Sequence, residues 1–182
     1  MKLSTLAFAA LAVFGASAQA ATATGPTISY NGSAYTLLTA DNWAASEAYA
    51  ITQGGHLVSI DDAAENSFIL STFRPVGSIW IGLERVGLGS SITDFAWTDG
   101  SASTFRNWAG GEPNNAGGIE YATHLYGNGQ WNDLNGFDGS YDGAKYGVME
   151  VAAVPEPETY ALMLAGLASM AFVARRRKAD AS

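Results

Sequence analysis

The 182-residue chain has room for one domain, or two small ones, and carries no cysteine. Between residues 21 and 154 it holds four basic against fourteen acidic side chains, a balance of −10. An acidic stretch without a basic patch argues against nucleic acid or an anionic membrane as its partner, and is compatible with cation binding.

In chain order, Lys2, an apolar run over residues 6–14 and Ala18-Gln19-Ala20 read as a cleaved secretory signal over 1–20. The apolar run is too short to span a bilayer comfortably. Residues 27–30 and 34–38 read as short strands around an Asn31-Gly32 turn. A helix follows over about 43–53, capped by Asp41 or Thr39 and stopped by Gly54-Gly55, with Trp43, Ala44, Ala48 and Ile51 as its expected buried stripe. Residues 57–60 form an apolar connector. Asp62 and Glu65 look like a capping box that opens a second helix to about residue 73, with Phe68, Ile69 and Phe73 facing the core and Pro75 stopping it.

Residues 79–83 predict an apolar strand. The stretch 84–119 is rich in Gly, Ser, Asn and Asp, with Phe95, Trp97, Phe105 and Trp108 set at intervals. That is too long for a bare loop, so it predicts a folded loop pinned into the core by its aromatics. Strands are expected at 120–126, 130–132 and 146–151, with a hairpin tip at 135–143. Asp138 and Asp142 read as solvated turn residues, and His56 and His124 as structural.

Within the long loop and the strands after it, Glu112, Asn114, Glu120, Asn132 and Asp133 fall inside 22 residues. Hard cations such as Ca²⁺ take about 6–8 oxygen ligands from carboxylates, amides and backbone. Zinc would call for His or Cys, and this run has neither. The run therefore reads as a calcium site built on loops.

Glu112-Pro113-Asn114, Glu120 six positions on, and Trp131-Asn132-Asp133 together resemble the C-type lectin domain family in its mannose-type branch. Trp80-Ile81-Gly82-Leu83, the helix leading to Gly54-Gly55-His56-Leu57, and the last strand closing on Glu150 extend the resemblance in order. It implies an α+β fold of two helices and two small antiparallel sheets over residues 27–152, with a long calcium-binding loop region. It further implies a cis Glu112–Pro113 bond and one Ca²⁺ held by Glu112, Asn114, Glu120, Asn132 and Asp133. The same five residues would grip vicinal hydroxyls of a mannose-, glucose- or N-acetylglucosamine-type sugar. Arg85, Asn115 and Tyr121 stand where the family offers acids to an auxiliary ion, which implies one ion here. Ala50 with Met149, and Ala122 with a residue near Gly136, stand in for two cysteine pairs. Trp80, Trp108 and Trp131 would anchor the loops.

Toward the C-terminus, Pro155-Glu156-Pro157, an apolar stretch over 160–174 and Arg175-Arg176-Arg177-Lys178 resemble the PEP-CTERM sorting signal, here over 154–178. That implies a short membrane segment, an exosortase-type processing enzyme, and export by a Gram-negative, exopolysaccharide-producing bacterium.

No Gly-x-Ser-x-Gly, phosphate loop or cysteine nucleophile is present. Glu112 and Glu120 sharing a cation would both stay ionised, which removes the acid that a glycosidase pair needs. The sequence thus predicts a calcium-dependent binder of glycan or extracellular polysaccharide, not an enzyme. The competing expectation is a structural or protein-binding domain whose calcium only stabilises loops.

Overall fold

The computed structural model describes residues 20–73, 76–87, 91–136, 144–152 and 162–170. Expectations that fall elsewhere lie outside the described residues: the secretory signal apart from Ala20, Pro75, Asp138 and Asp142, the Pro-Glu-Pro box and the basic cluster.

Strands β1 (Ile28–Tyr30) and β2 (Ser33–Leu37) pair antiparallel across Asn31-Gly32. Both turn residues have positive φ, 47° and 89°, which is why an Asn-Gly pair suits a two-residue hairpin. Helix α1 spans Trp43–Thr52. Its cap is Asn42, not Asp41 or Thr39: the Asn42 side chain accepts from the Ala45 N–H at 2.8 Å. Its buried face is Trp43, Ser46, Glu47 and Ala50, whereas Ala48 and Ile51 are exposed. The correction has a physical cause. The buried i, i+3, i+4, i+7 stripe includes two polar residues, so apolarity alone picked the wrong face. Glu47 tolerates burial because it accepts from the Leu57 N–H at 2.7 Å and pairs with His56 Nδ1 at 2.6 Å.

Strand β3 (His56–Leu57) leads to helix α2 (Ala63–Phe73). Asp62 caps α2 by accepting from Ala64 and Glu65 N–H, both at 2.8 Å. Glu65 reaches back one residue further than a capping box requires, to the Asp61 N–H at 2.8 Å. The remaining strands are β4 (Ile79–Arg85), β5 (Phe95–Trp97), β6 (Ala122–Leu125), β7 (Trp131–Leu134) and β8 (Tyr146–Ala152). β5 lies inside the predicted long loop; Phe95 and Trp97 are both buried, so the aromatics do pin it.

Two antiparallel groups form. One is β1-β2-β8 with β3 on β8; the other is β4-β6-β7 with β5 on β4. A short parallel pairing of β4 with β8, Ile79 opposite Tyr146 and Trp80 opposite Gly147, joins them into one mixed sheet. Alternation along the strands sends side chains to opposite faces. Trp80, Ala122, Leu134 and Met149 join Trp43 and Ala50 of α1 in one core. Ile79, Ile81, Leu125, Trp131 and Val148 join Ile69 and Phe73 of α2 and the loop aromatics in the other.

The Ala50/Met149 and Ala122/Gly136 positions sit in or against the α1 core. Apolar contact, not a covalent link, closes the sheet there.

Residues 162–170 are helical, with Leu162, Met163, Leu164, Leu167 and Met170 exposed. Among the described residues no helix is long and apolar enough to cross a membrane. The expected membrane segment is not supported.

Candidate functional site

The site is assembled where the long loop returns to β7. Trp131 N–H donates to Asn107 O and Ala109 N–H to Trp131 O, each at 2.8 Å, so residues 107–109 run alongside the start of β7. Trp131 itself is fully buried and donates its indole N–H to Asn66 Oδ1 on α2 at 2.8 Å. The Asn66 amide in turn donates to Gly129 O at 3.0 Å, and the Asn107 amide to the same carbonyl at 2.7 Å. Trp131 thereby fixes both the loop and the two residues that follow it, Asn132 and Asp133.

The Glu112–Pro113 peptide is cis, with Pro113 buried and Asn114 exposed. Asp133, fully buried, is the hub beyond it. Its Oδ1 accepts from Asn114 N–H at 3.0 Å and its Oδ2 from Asn115 N–H at 2.9 Å. Oδ2 is also ion-paired with the Arg85 guanidinium. Glu120 closes the other side: its Oε2 accepts from Ala116 N–H at 2.7 Å, and its own N–H donates to Asn115 Oδ1 at 3.2 Å. Asn132 contributes an amide whose Nδ2 meets His124 Nε2 at 3.1 Å.

Glu112, Glu120 and Asp133 are close enough to disturb one another. Burial raises the Glu112 carboxyl above its ordinary range, and the Asp133 and Glu120 carboxylates push the same way. Burial also raises Glu120, with Asp133 adding and the Ala116 N–H and Arg85 opposing. Glu112 Oε2 is buried and has no hydrogen-bond partner. Leaving such an oxygen unpaired costs about 1–3 kcal/mol or more.

The structure thus gathers Glu112, Asn114, Glu120 and Asp133 around one loop, and sets Asn132 on the strand position next to Asp133. It does not close them into a cage. Among the described residues no three His, Asp or Glu side chains are grouped as a metal centre. Asp133 and Glu120 are already engaged by backbone N–H groups and Arg85. The donor set itself, three carboxylates and two amides with an orphaned carboxylate oxygen among them, suits a hard cation.

Sequence reasoning missed two residues. Asn66 carries no pattern that separates it from any polar helical residue. Arg85 stood out in the sequence only as a base where the family offers an acid, and being one of four basic residues between 21 and 154 does not point to Asp133 as its partner. A cleft of about 200 Å³ beside Arg85 is lined by Asn115, Gly118, Ile119, Glu120 and Tyr121.

Known proteins share the fold. The Lectin C-type domain model matches residues 39–139, and a PEP-CTERM protein-sorting motif matches residues 153–178. The alpha-N-acetylgalactosamine-specific lectin of Patiria pectinifera is 39% identical over 88 residues, 44% of this chain and 51% of that protein. The matches to curated relatives span from 6% to 61% of those proteins' length. The carbohydrate-recognition domain of cow CD23, solved in the presence of a GlcNAc2Man3 oligosaccharide, superposes with a TM-score of 0.59 at 27% identity, covering 73% of this chain and 99% of that one. A calcium-independent type II antifreeze protein shares the fold at TM-score 0.57 and 22% identity, covering 75% and 99%. The family is one of binding domains rather than enzymes, and the sorting motif marks a bacterial protein destined for the cell surface or exterior. The chain belongs to the C-type lectin domain family and carries a PEP-CTERM sorting motif behind that domain.

Proposed function

We propose that the loop cluster binds one calcium ion and, through it, vicinal hydroxyls of a mannose-type sugar. The observation that carries this reading is the buried, unpartnered Glu112 Oε2 beside two further carboxylates. Glu112, Asn114, Glu120, Asn132 and Asp133 would hold the ion. Bound there, the ion supplies a Lewis-acidic anchor for two hydroxyl oxygens. The chain's own residues do the rest. Carboxylate oxygens accept from the hydroxyl protons, and the Asn114 and Asn132 amides donate to their oxygens. Asn114 is exposed at the mouth, so the sugar meets it from solvent.

The relatives support glycan binding in general without choosing the sugar: one is by name specific for N-acetylgalactosamine, the other was solved with a mannose-containing oligosaccharide. The choice of mannose-type over galactose-type rests on the Glu112-Pro113-Asn114 order. A single shallow site of this kind binds weakly, so useful retention needs many copies of the ligand. Extracellular polysaccharide offers them. Secretion through the signal over 1–20, in a Gram-negative host, and processing by an exosortase-type enzyme complete the reading. The domain limits 27–152 and 154–178 belong to it as well.

A second reading is favoured by one observation. Asp133 is already satisfied by Arg85 and two N–H groups, as a loop that needs no ion would have it. On that reading the domain binds protein or plays a structural part. Retention of the protein on mannan-agarose in Ca²⁺ and then in EDTA, with a melting curve in each buffer, separates the two. Retention lost in EDTA supports the lectin reading. A Ca²⁺-raised melting temperature without retention leaves the ion and removes the sugar. No effect of Ca²⁺ on either sinks the reading.

A further inference from the structure

Arg85 ends β4 where three neighbouring segments converge. Its backbone N–H donates to Tyr121 O at 2.8 Å, which sets it against the chain entering β6. Its side chain is only 5% exposed. Nε donates to Glu120 O at 2.6 Å, Nη2 pairs with Asp133 Oδ2 on β7, and the guanidinium lies over the Phe95 ring of β5, 4.5 Å from its centroid. One rigid planar cation thus touches β5, the lead into β6, and β7. A lysine ammonium has no such fork and could not make these contacts together.

The consequence runs through Asp133. That carboxylate is fully buried, and a buried carboxylate needs both a counter-charge and hydrogen bonds. Arg85 supplies the charge. The N–H groups of Asn114 and Asn115 supply bonds to the remaining lone pairs. Removing Arg85 leaves Asp133 with Glu112 and Glu120 as neighbours of its own sign. Asp133 would then move toward water and release the loop backbone.

We propose that Arg85 is a built-in counter-cation that preforms the loop: through Asp133 it holds the Asn114–Asn115 backbone in place before any external ion arrives. Arg85 is therefore a positioning residue. Its link to ion binding rests on the proposed function, but its effect on the ion-free loop does not.

The test is amide hydrogen exchange on the full chain, wild type, Arg85→Gln and Arg85→Lys, in EDTA and in excess Ca²⁺. In EDTA the wild-type Asn114 and Asn115 amides are expected to stay protected. In Arg85→Gln they should exchange about tenfold faster or more, as befits loss of a charge-assisted contact, while the β8 amides keep their wild-type protection. Arg85→Lys should fall between, and Ca²⁺ should restore protection to Arg85→Gln. Wild-type Asn114 and Asn115 amides that exchange in EDTA like an open loop would overturn the proposal, whether or not the variants fold. So would Arg85→Gln matching wild type. Lost protection in Arg85→Gln with no Ca²⁺ response in any protein would support Arg85's role and remove the calcium reading. A Ca²⁺ response with an open wild-type loop would do the reverse.

Discussion

The indole N–H of Trp131 donates to Asn66 Oδ1 at 2.8 Å, deep between α2 and β7. This bond joins an element with no part in the candidate site to the strand that presents Asn132 and Asp133. Asn66→Leu keeps the branched shape and removes the acceptor, which orphans a buried N–H, and with it the amide bond to Gly129 O. The expected cost is about 1–3 kcal/mol of stability. Gly129 O keeps its bond from Asn107, so the loop should loosen without detaching. Urea unfolding measures the cost, and a red-shifted tryptophan emission would report water reaching Trp131. Unchanged stability would mean that packing alone holds the indole.

Gly136 stands at a close approach. A Cβ built there meets Ala122 Cβ at 2.4 Å and Trp43 Cβ at 2.9 Å. Neither neighbour can swing away, because both contacts are Cβ atoms fixed to backbone, and Gly136 O is bonded to Trp43 N–H at 2.9 Å. Gly136→Ala should therefore destabilise by about 1–3 kcal/mol, the usual penalty for overpacking. That corresponds to roughly 4 °C in Tm per kcal/mol for a domain of this size. The same closeness bears on the missing cysteine pair. Disulfide Cβ atoms sit about 3.5–4.5 Å apart, so a pair at 122 and 136 would have to push the backbone open. A calorimetric Tm equal to wild type for Gly136→Ala would show that the segment yields freely.

Much of this architecture was legible because local chemistry and global fold agreed. Asn31-Gly32, Asp62 and the apolar run of β4 each specify one conformation, and the structure adopts it. The α1 stripe was not legible, because Ser46 and Glu47 are buried with their polar atoms bonded, Ser46 to Asn42 O and Glu47 to the Leu57 N–H and His56, and apolarity says nothing of those bonds. β5 was hidden by the glycine- and serine-rich chain around it, although Phe95 and Trp97 alternate as a half-buried strand should. That Glu112, Asn114, Glu120 and Asp133 would lie near one another was an expectation from their closeness in sequence and from the family resemblance. The part of Arg85 was not, since a strand-end arginine is ordinarily solvated and only the folded register brings Asp133 to it.

Glu65 and Glu150 form a second acidic pair, bridged by Tyr35. The Tyr35 hydroxyl donates its one proton to Glu65 Oε1 at 2.6 Å and lies 3.3 Å from Glu150 Oε1. Burial raises both carboxyls above their ordinary range; the Glu65 charge adds to the rise of Glu150, and the Asp61 and Asp62 charges add to that of Glu65. A raised folded pKa means the folded state holds protons that the unfolded state has released. Stability from these groups is therefore present below the ordinary glutamate range and falls as pH rises through the raised folded values. Glu84, Glu112 and Glu120 add slopes of the same sign. Glu150→Gln removes one titration and one repulsion, so it should flatten the fall without abolishing it and be more stable than wild type at neutral pH. Urea midpoints across an acid-to-neutral series in EDTA decide this; a slope as steep as wild type would place the pH dependence elsewhere.

Glu112 gives a prediction with opposite signs in two buffers. In EDTA its carboxylate is a partly buried charge beside Asp133 and Glu120, with one oxygen unpartnered. Glu112→Gln removes the charge and its repulsion, so the variant should melt higher than wild type in EDTA. With Ca²⁺ the order should reverse, because a neutral amide is a poorer ligand for a hard cation. Loss of one charged ligand is expected to weaken Ca²⁺ binding by about tenfold or more, equivalent to about 1.4 kcal/mol per tenfold. Adding Asn114→Asp restores the charge count at a different position, so the double variant should recover Ca²⁺ binding and lose or switch mannose retention. Melting curves in both buffers, calcium titration calorimetry and mannan-agarose retention read these effects separately. A Glu112→Gln variant that melts lower than wild type in EDTA would show that Glu112 is held by contacts the ion does not replace. Unaltered mannose retention in the double variant would remove Glu112 and Asn114 from the sugar site.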